Sequence, residues 1–361
     1  MPKYHNPKYL SGEDLELDYN EFAVEQAEAE YALGLLEGSQ KKLQNSSLLI
    51  SPLTAKEATV SSKIEGTQST VSDVFLHEAG GETKHSDIAE VANYRAAMHF
   101  AIKELGKERA LSKHLIKTLH EILLKNTRHR GQLGEFRKGD VWIAKKAGDP
   151  IESATYIPPQ AHFVNDYVED LLKYFQTGKE NILIKAGIAH YQFEAVHPFD
   201  DGNGRIGRLL IPLILHHSNR LSKPILYISG YMEANRDEYI DTLHSVDESA
   251  RLETWLKFFF KSVAAQLRET QELVEQIYEL HDQVKSKFQG SKSPYLTPFI
   301  DFIFDSPIFT VPHALKSTKA TDLTVKRLIE SFQREGYIIT MKYRLGRAKV
   351  YSFQPLLRLL K

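Results

Sequence analysis

The sequence predicts a mainly α fold with one short β-hairpin near its centre and, at its end, a small helical module closed by a second hairpin. Three observations carry that prediction. Apolar residues recur at intervals near 3.6 through most of the chain, as an amphipathic helix requires. One stretch, RHRGQLGEFRKGDVWIAKKAGDPIESATYIPP, breaks the period and holds two β-favouring triplets, Val141-Trp142-Ile143 and Thr155-Tyr156-Ile157, around the turn residues AGDP. Close to the C-terminus YIITMKY and AKVYSF alternate in polarity around RLGR.

Taken in order, residues 1–110 read as an antiparallel helical unit. FAVEQAEAEYALGLLEGSQKKL and IAEVANYRAAMHFAIKEL both carry the helical period, and the loop HEAGGETKHSD precedes the second. LSKHLIKTLHEILL, from Leu111 to Leu124, is a further amphipathic helix with Ser112 as its cap and His114 and His120 as helix-face residues. Beyond the hairpin, FVNDYVEDLLKYFQ resumes the pattern, and the more apolar NILIKAGIAHYQFEAV ends at His197-Pro198, because proline pushes the preceding residue toward extended geometry. A helix group follows from Arg251 to Phe288, and QGSKSP breaks it. LTPFIDFIFDS then reads as a helix, TVPHALKSTKAT as a short helix and turn, and DLTVKRLIESFQREG as a longer helix. The division expected is 1–110, 111–289 and 290–361.

Composition narrows the function classes. Of 361 residues, 42% are hydrophobic and 26% charged, which is a globular balance and excludes wholesale disorder. The absence of cysteine excludes a disulfide framework, thiolate metal ligation and a thiol nucleophile. The first residues lack a signal peptide's apolar core and no window reaches membrane-spanning length, so a soluble, cytoplasmic protein without a membrane partner is expected. The net charge of −1 conceals an uneven distribution: 12 basic and 5 acidic residues from Gly290 onward give +7, and 34 basic and 42 acidic residues before it give −8.

The segment richest in chemistry is His197-Pro198-Phe199-Asp200-Asp201-Gly202-Asn203-Gly204-Arg205-Ile206-Gly207-Arg208, which opens into LLIPLILHH. Its glycines fall where a helix begins, and free amides at such a terminus hold phosphate. Arg205 and Arg208, three apart, share a helix face from which two guanidinium forks suit the successive phosphates of a triphosphate. Asp201 offers a hard oxygen ligand, and one or two carboxylates plus substrate phosphates are how Mg²⁺ is commonly held. His197 precedes the nest, and a histidine is the residue type that can serve as a general base near neutral pH. Each feature alone has an ordinary structural explanation, such as a turn, a solvated arginine or a packed histidine; together they suggest attack by a deprotonated hydroxyl on a metal-bound phosphate.

The segment resembles the HxFxDGNGRxxR motif of the Fic family of nucleotidylyltransferases. His197, Phe199, Asp201, Gly202, Asn203, Gly204, Arg205 and Arg208 match every specified position. The resemblance implies a helical Fic core over roughly residues 111–270, with LGEFR (Leu133 to Arg137) leading into a target-binding hairpin flap. It implies transfer of AMP from ATP, with Mg²⁺, to a Ser, Thr or Tyr hydroxyl of a target protein or of the chain itself, and release of pyrophosphate. His197 would then deprotonate the hydroxyl and Asp201 hold the metal. Gly202, Asn203 and Gly204 would form the anion nest, Arg205 grip phosphate oxygens, Arg208 hold the γ-phosphate, and Phe199 anchor the loop. Upstream, Ser61, Glu65 and Gly66 resemble the family's inhibitory pattern [S/T]xxxE[G/N], which implies that Glu65 competes for Arg208 and disturbs the pose of ATP. An extended target segment would add to the exposed edge of the flap.

The C-terminal order of helix, short helix, longer helix and hairpin resembles a winged helix-turn-helix. That resemblance implies a recognition helix from Asp322 to Glu335, a wing near Arg344 to Arg347, and phosphate contacts from Lys326, Arg327, Lys342, Arg344, Arg347 and Lys349 to DNA. Protein contact and self-association are the competing uses of such a module. Competing readings of the whole chain are a DNA-binding regulator with a vestigial Fic core, and a Fic enzyme that transfers another phosphate-containing group or removes AMP.

Overall fold

A computed structural model describes residues 3–12, 15–42, 47–81, 85–105, 111–144, 149–222, 226 and 228–361. Ala147 and Gly148 of the AGDP turn, residues 82–84 of the HEAGGETKHSD loop and the boundary at 110 lie outside the described residues. The elements run α1 (Ala23–Lys42), α2 (Ser47–Ile64), α3 (Val71–Glu78), α4 (Ile88–Leu105), α5 (Lys113–Leu124), β1 (Ile143–Ala144), β2 (Ala154–Tyr156), α6 (Val164–Thr177), α7 (Ile182–Val196), α8 (Asn203–His217), α9 (Ser229–Ala234), α10 (Arg236–Ser249), α11 (Glu253–Phe288), α12 (Leu296–Asp305), β3 (Ile308–Thr310), α13 (Val311–Thr318), α14 (Asp322–Arg334), β4 (Ile338–Leu345), β5 (Ala348–Phe353) and α15 (Gln354–Leu359). The architecture is therefore mainly α, as the periodicity predicts. No helix among the described residues is long and apolar enough to cross a membrane.

The chain forms two compact units, and neither is continuous in sequence: 1–38 joins 96–267, and 39–95 joins 268–361.

In the first unit α7 is buried on nearly every side, which accounts for its near-continuous apolar sequence. α8 packs along it, and Trp255 of α11 donates its indole N–H to the Gly187 carbonyl of α7 at 2.8 Å. Gly187 permits that approach, since a Cβ there would lie 2.9 Å from both Leu256 and Phe259. Ser112 caps α5 through the Leu115 amide, and a leucine-rich face of α5, including Leu119 and Leu123, is buried. The hairpin is smaller than the two triplets suggest: Ile143 pairs with Tyr156 and Ala144 with Ala154, antiparallel, while Val141, Trp142 and Ile157 stay outside the ladder. Trp142 instead donates to the Asp149 carbonyl at 2.8 Å.

In the second unit α2 packs on α12, and α3 on β3. Ser51 Oγ donates to the Asp305 carbonyl, and Lys56 pairs with Glu269 at 2.8 Å. The C-terminal module has the order helix, strand, helix, helix, hairpin, with β5 between β3 and β4 in an antiparallel sheet. β3 is an addition to the sequence reading, which left Ile308 and Phe309 between two helices and put Thr310 at the start of the second; Ile308 to Thr310 pair with Val350 to Ser352. Phe288 stacks on Phe332 at 3.9 Å between centroids, and Phe299, Phe302 and Phe309 meet edge to face, so aromatic packing supplies much of this core.

Candidate active site

α7 stops at Val196, and the chain reverses through His197, whose φ of +50° and ψ of 62° are left-handed. The helix boundary agrees with the proline at 198, but the geometry at His197 is left-handed rather than extended. A left-handed non-glycine costs about 1–2 kcal/mol, so the surroundings must hold it. The His197 amide donates to the Phe193 carbonyl at 3.0 Å, and the His197 carbonyl accepts from Arg137 Nε at 2.8 Å.

Between His197 and α8 the loop is closed by side chains. Asn203 Oδ1 accepts the Phe199 amide and Asn203 Nδ2 donates to the Phe199 carbonyl, both at 2.8 Å. Both ends of the Asn203 side chain are thus committed to the loop itself, and what it offers an anion is its backbone amide. Phe199 is fully buried, stacked on His120 at 3.8 Å and 3°. Gly202 caps α8 at φ +78°, a conformation that suits glycine, and its carbonyl accepts the Ile206 amide. The amides of Asn203, Gly204 and Arg205 therefore precede the first intrahelical bond and form the open N-terminus of α8.

Arg205 and Arg208 are only 4% and 1% exposed. Both guanidinium groups thus stand in the first turns of α8, near its positive dipole end. Asp201 Oδ1 lies 3.7 Å from Arg205 Nη2 and accepts the Gly202 amide at 2.6 Å. Among the described residues no group of three or more His, Asp or Glu side chains could hold a metal ion. Asp201, 37% exposed at its side chain, is a single hard carboxylate, the donor set that fits Mg²⁺ shared with substrate phosphates.

His120 and Arg137 are absent from the sequence-derived set of site residues. His120 is more than a face residue of α5. Burial, the largest influence, pushes its pKa down to about 4. The neutral ring then has one assignment that satisfies both neighbours: Nδ1 accepts the Gly134 amide at 3.0 Å, and Nε2–H donates to the Asp201 carbonyl at 3.1 Å. It joins the LGEFR segment to the motif loop. The signal in the sequence was a histidine on the apolar face of α5, in line with Ile116 and Leu123. His114, by contrast, is exposed.

Ser61, Glu65 and Gly66 belong to the second unit. Ser61 is buried in α2; Glu65 follows the last turn, and Gly66 adopts φ +97° with its amide on the Lys63 carbonyl. Arg327 lies on α14, where Lys326 is paired with Asp322 at 2.6 Å; Arg344 is on β4, and Arg347 lies in the turn before β5. A cavity of about 1510 Å³ in the first unit, lined in part by His5, Tyr156, Tyr191, Asp247 and Glu253, touches none of residues 197–208.

Fold and site together define a helical domain in which one short loop between α7 and α8 carries a histidine, a carboxylate and an open helix N-terminus. The Fic/DOC family matches residues 110–215, and the Fic/DOC family N-terminal region matches residues 24–103, together just over half of the chain. The chain belongs to the Fic/DOC family. It is 30% identical over 146 residues to a probable protein adenylyltransferase of Aquifex aeolicus, which covers 40% of this chain and 39% of that one. It is 31% identical over 109 residues to the protein adenylyltransferase fic-1 of Caenorhabditis elegans, covering 27% and 20%. The chain thus spans two fifths or less of the length of these relatives. Among solved structures, a Fic family protein from Desulfovibrio desulfuricans superposes with a TM-score of 0.59 at 20% identity, over 91% of this chain and 95% of that one. C. elegans Fic-1 gives 0.54 at 22% identity, over 70% and 73%.

Proposed function

We propose that the chain transfers AMP from ATP to a Ser, Thr or Tyr hydroxyl of a protein, itself included. The observation that best supports this is the succession, within one closed loop, of His197, Asp201 and the open N-terminus of α8 bearing buried Arg205 and Arg208. The α8 amides and the two guanidinium groups orient the triphosphate chain. His197 takes the proton of the target hydroxyl, the oxygen attacks the α-phosphorus, and the bond to the β-phosphate oxygen breaks, so pyrophosphate leaves. Asp201 would hold Mg²⁺, which neutralises developing phosphate charge when bound. The exposed Trp142 and Ile143 at the hairpin offer an apolar, strand-like edge for an extended target.

Glu65 acts in this reading as an inhibitor that competes with the γ-phosphate for Arg208, and residues 290–361 act as a winged helix-turn-helix beside a catalytic segment, 111–289. The test is mass spectrometry after incubation with ATP and Mg²⁺. Glu65→Gly should acquire an AMP adduct at least about tenfold faster than the parent, as expected when a competing charge-assisted bond of about 1.4 kcal/mol or more is removed. The adduct should vanish in Glu65→Gly/His197→Ala. No adduct in either Glu65→Gly or a cell extract incubated with it would refute the activity, and equal rates in parent and variant would refute inhibition.

A further inference from the structure

Arg137 stands out as a buried cation whose hydrogen bonds all run to backbone. It is 3% exposed. Nε donates to the His197 carbonyl at 2.8 Å, Nη1 to the Gly139 carbonyl at 3.2 Å, and Nη2 to the carbonyls of Pro159 and Val196, the latter at 3.2 Å. Its own amide donates to the Pro198 carbonyl at 2.9 Å. Gly139 precedes β1 and Pro159 follows β2, so they are the two roots of the hairpin; Val196 and His197 are the end of α7. One planar guanidinium therefore ties both roots of the hairpin to the turn that aims the His197 ring.

Burying a guanidinium is costly, and its pKa is lowered chiefly by burial, with Asp140 and Asp200 opposing that effect. Two carbonyls on the same nitrogen plane, and two more on the adjoining nitrogens, use a fork that a lysine ammonium does not have. The rest of the motif loop is held by other means: Asn203 clasps Phe199, and His120 bonds Asp201 and Gly134. The phosphate-directed part of the loop is thereby fastened separately from the turn that carries His197.

We propose that Arg137 is a positioning residue that sets the distance between a target segment docked on the hairpin and the His197 imidazole. The inference rests on the group-transfer reading of the site. Misplacing reacting groups by about 1 Å costs on the order of 100-fold in rate, and the loss falls on turnover because the anchors of the ATP-binding part are untouched.

The experiment uses the full chain in the Glu65→Gly background, with Arg137→Gln and Arg137→Lys, and labelled ATP as probe. Expected is a fall in adduct formation at saturating ATP of about 100-fold for Gln and a smaller one for Lys, with the KM for ATP within about twofold of the parent. Hydrogen exchange provides the readout that does not depend on activity: protection should drop jointly in residues 139–144, 149–160 and 194–199 and persist in α5 and α11. If Glu65→Gly forms no adduct on itself or on proteins of a cell extract, the group-transfer reading fails, and the exchange result alone decides whether Arg137 ties hairpin to turn. Unchanged turnover, a loss confined to KM, unchanged exchange, or protection lost throughout the chain in both variants would each overturn the proposal.

Discussion

Asn203 is the residue at which the geometry separates two functions most cleanly. If it served only a bound phosphate, Asn203→Ala would leave the ligand-free protein as stable as the parent. The structure instead spends both ends of the side chain on Phe199, at 2.8 Å each, where Phe199 is fully buried and Asn203 2% exposed. Truncation leaves one amide and one carbonyl buried without these partners, at about 1–3 kcal/mol each, so a loss of about 2–6 kcal/mol is expected. For a unit of this size, at about 2–4 °C per kcal/mol, that corresponds to roughly 4–24 °C in Tm. Urea denaturation without nucleotide measures it: the midpoint should fall while the slope m stays constant. Asn203→Asp should fall between parent and Ala, because a carboxylate still accepts the Phe199 amide but repels the Phe199 carbonyl. A change below about 0.5 kcal/mol in Asn203→Ala, within the scatter of surface substitutions, would refute the clasp and return Asn203 to the ligand.

Two further outcomes follow from charge. Asp247 is pushed up to about 6, chiefly by burial, against the lowering effect of the Tyr191 hydroxyl that donates to it at 2.8 Å and with a further rise from Glu248; His5 Nε2, 3.1 Å away, is lowered by burial and is no standing counter-charge. A raised folded pKa means that its contribution is fully present below about 3.8 and is lost as pH rises through about 6; Asp247→Asn should therefore gain about 1–3 kcal/mol at pH 8 and little at pH 3.5, and an unchanged or destabilised variant at pH 8 by urea titration would contradict this. If residues 290–361 bind DNA, retention at low salt should weaken steeply as salt rises, and Arg344→Gln/Arg347→Gln should reduce the log–log slope by about 2; no binding at low salt would remove DNA from the partners.

Much of this was readable because the informative residues are neighbours in sequence. The end of α7, the start of α8 and the eight motif positions fall within one short run, so local chemistry was enough to single them out. What escaped depends on distant contacts: His120 reaches Asp201 across 81 residues, and Arg137 reaches His197 across 60. Periodicity identified the face of α5 on which His120 sits, but nothing local tells a packed imidazole from one that bonds two backbone groups. LGEFR drew notice as the approach to the hairpin, yet its arginine looked like any charged residue in a loop. β3 was missed for a related reason. Three residues carry no period, and only pairing with β5 makes Ile308 to Thr310 a strand.

The interleaving of the two units reaches beyond packing. α2, which carries Ser61 and ends beside Glu65, shares its unit with α12 and the C-terminal sheet although some two hundred residues separate them in the chain. No single cut of the polypeptide releases either unit whole. A frameshift, a protease nick or an engineered stop near residue 290 would remove the helix against which α2 rests, so the fate of the chain's last segment is bound to that of the segment proposed to restrain the enzyme.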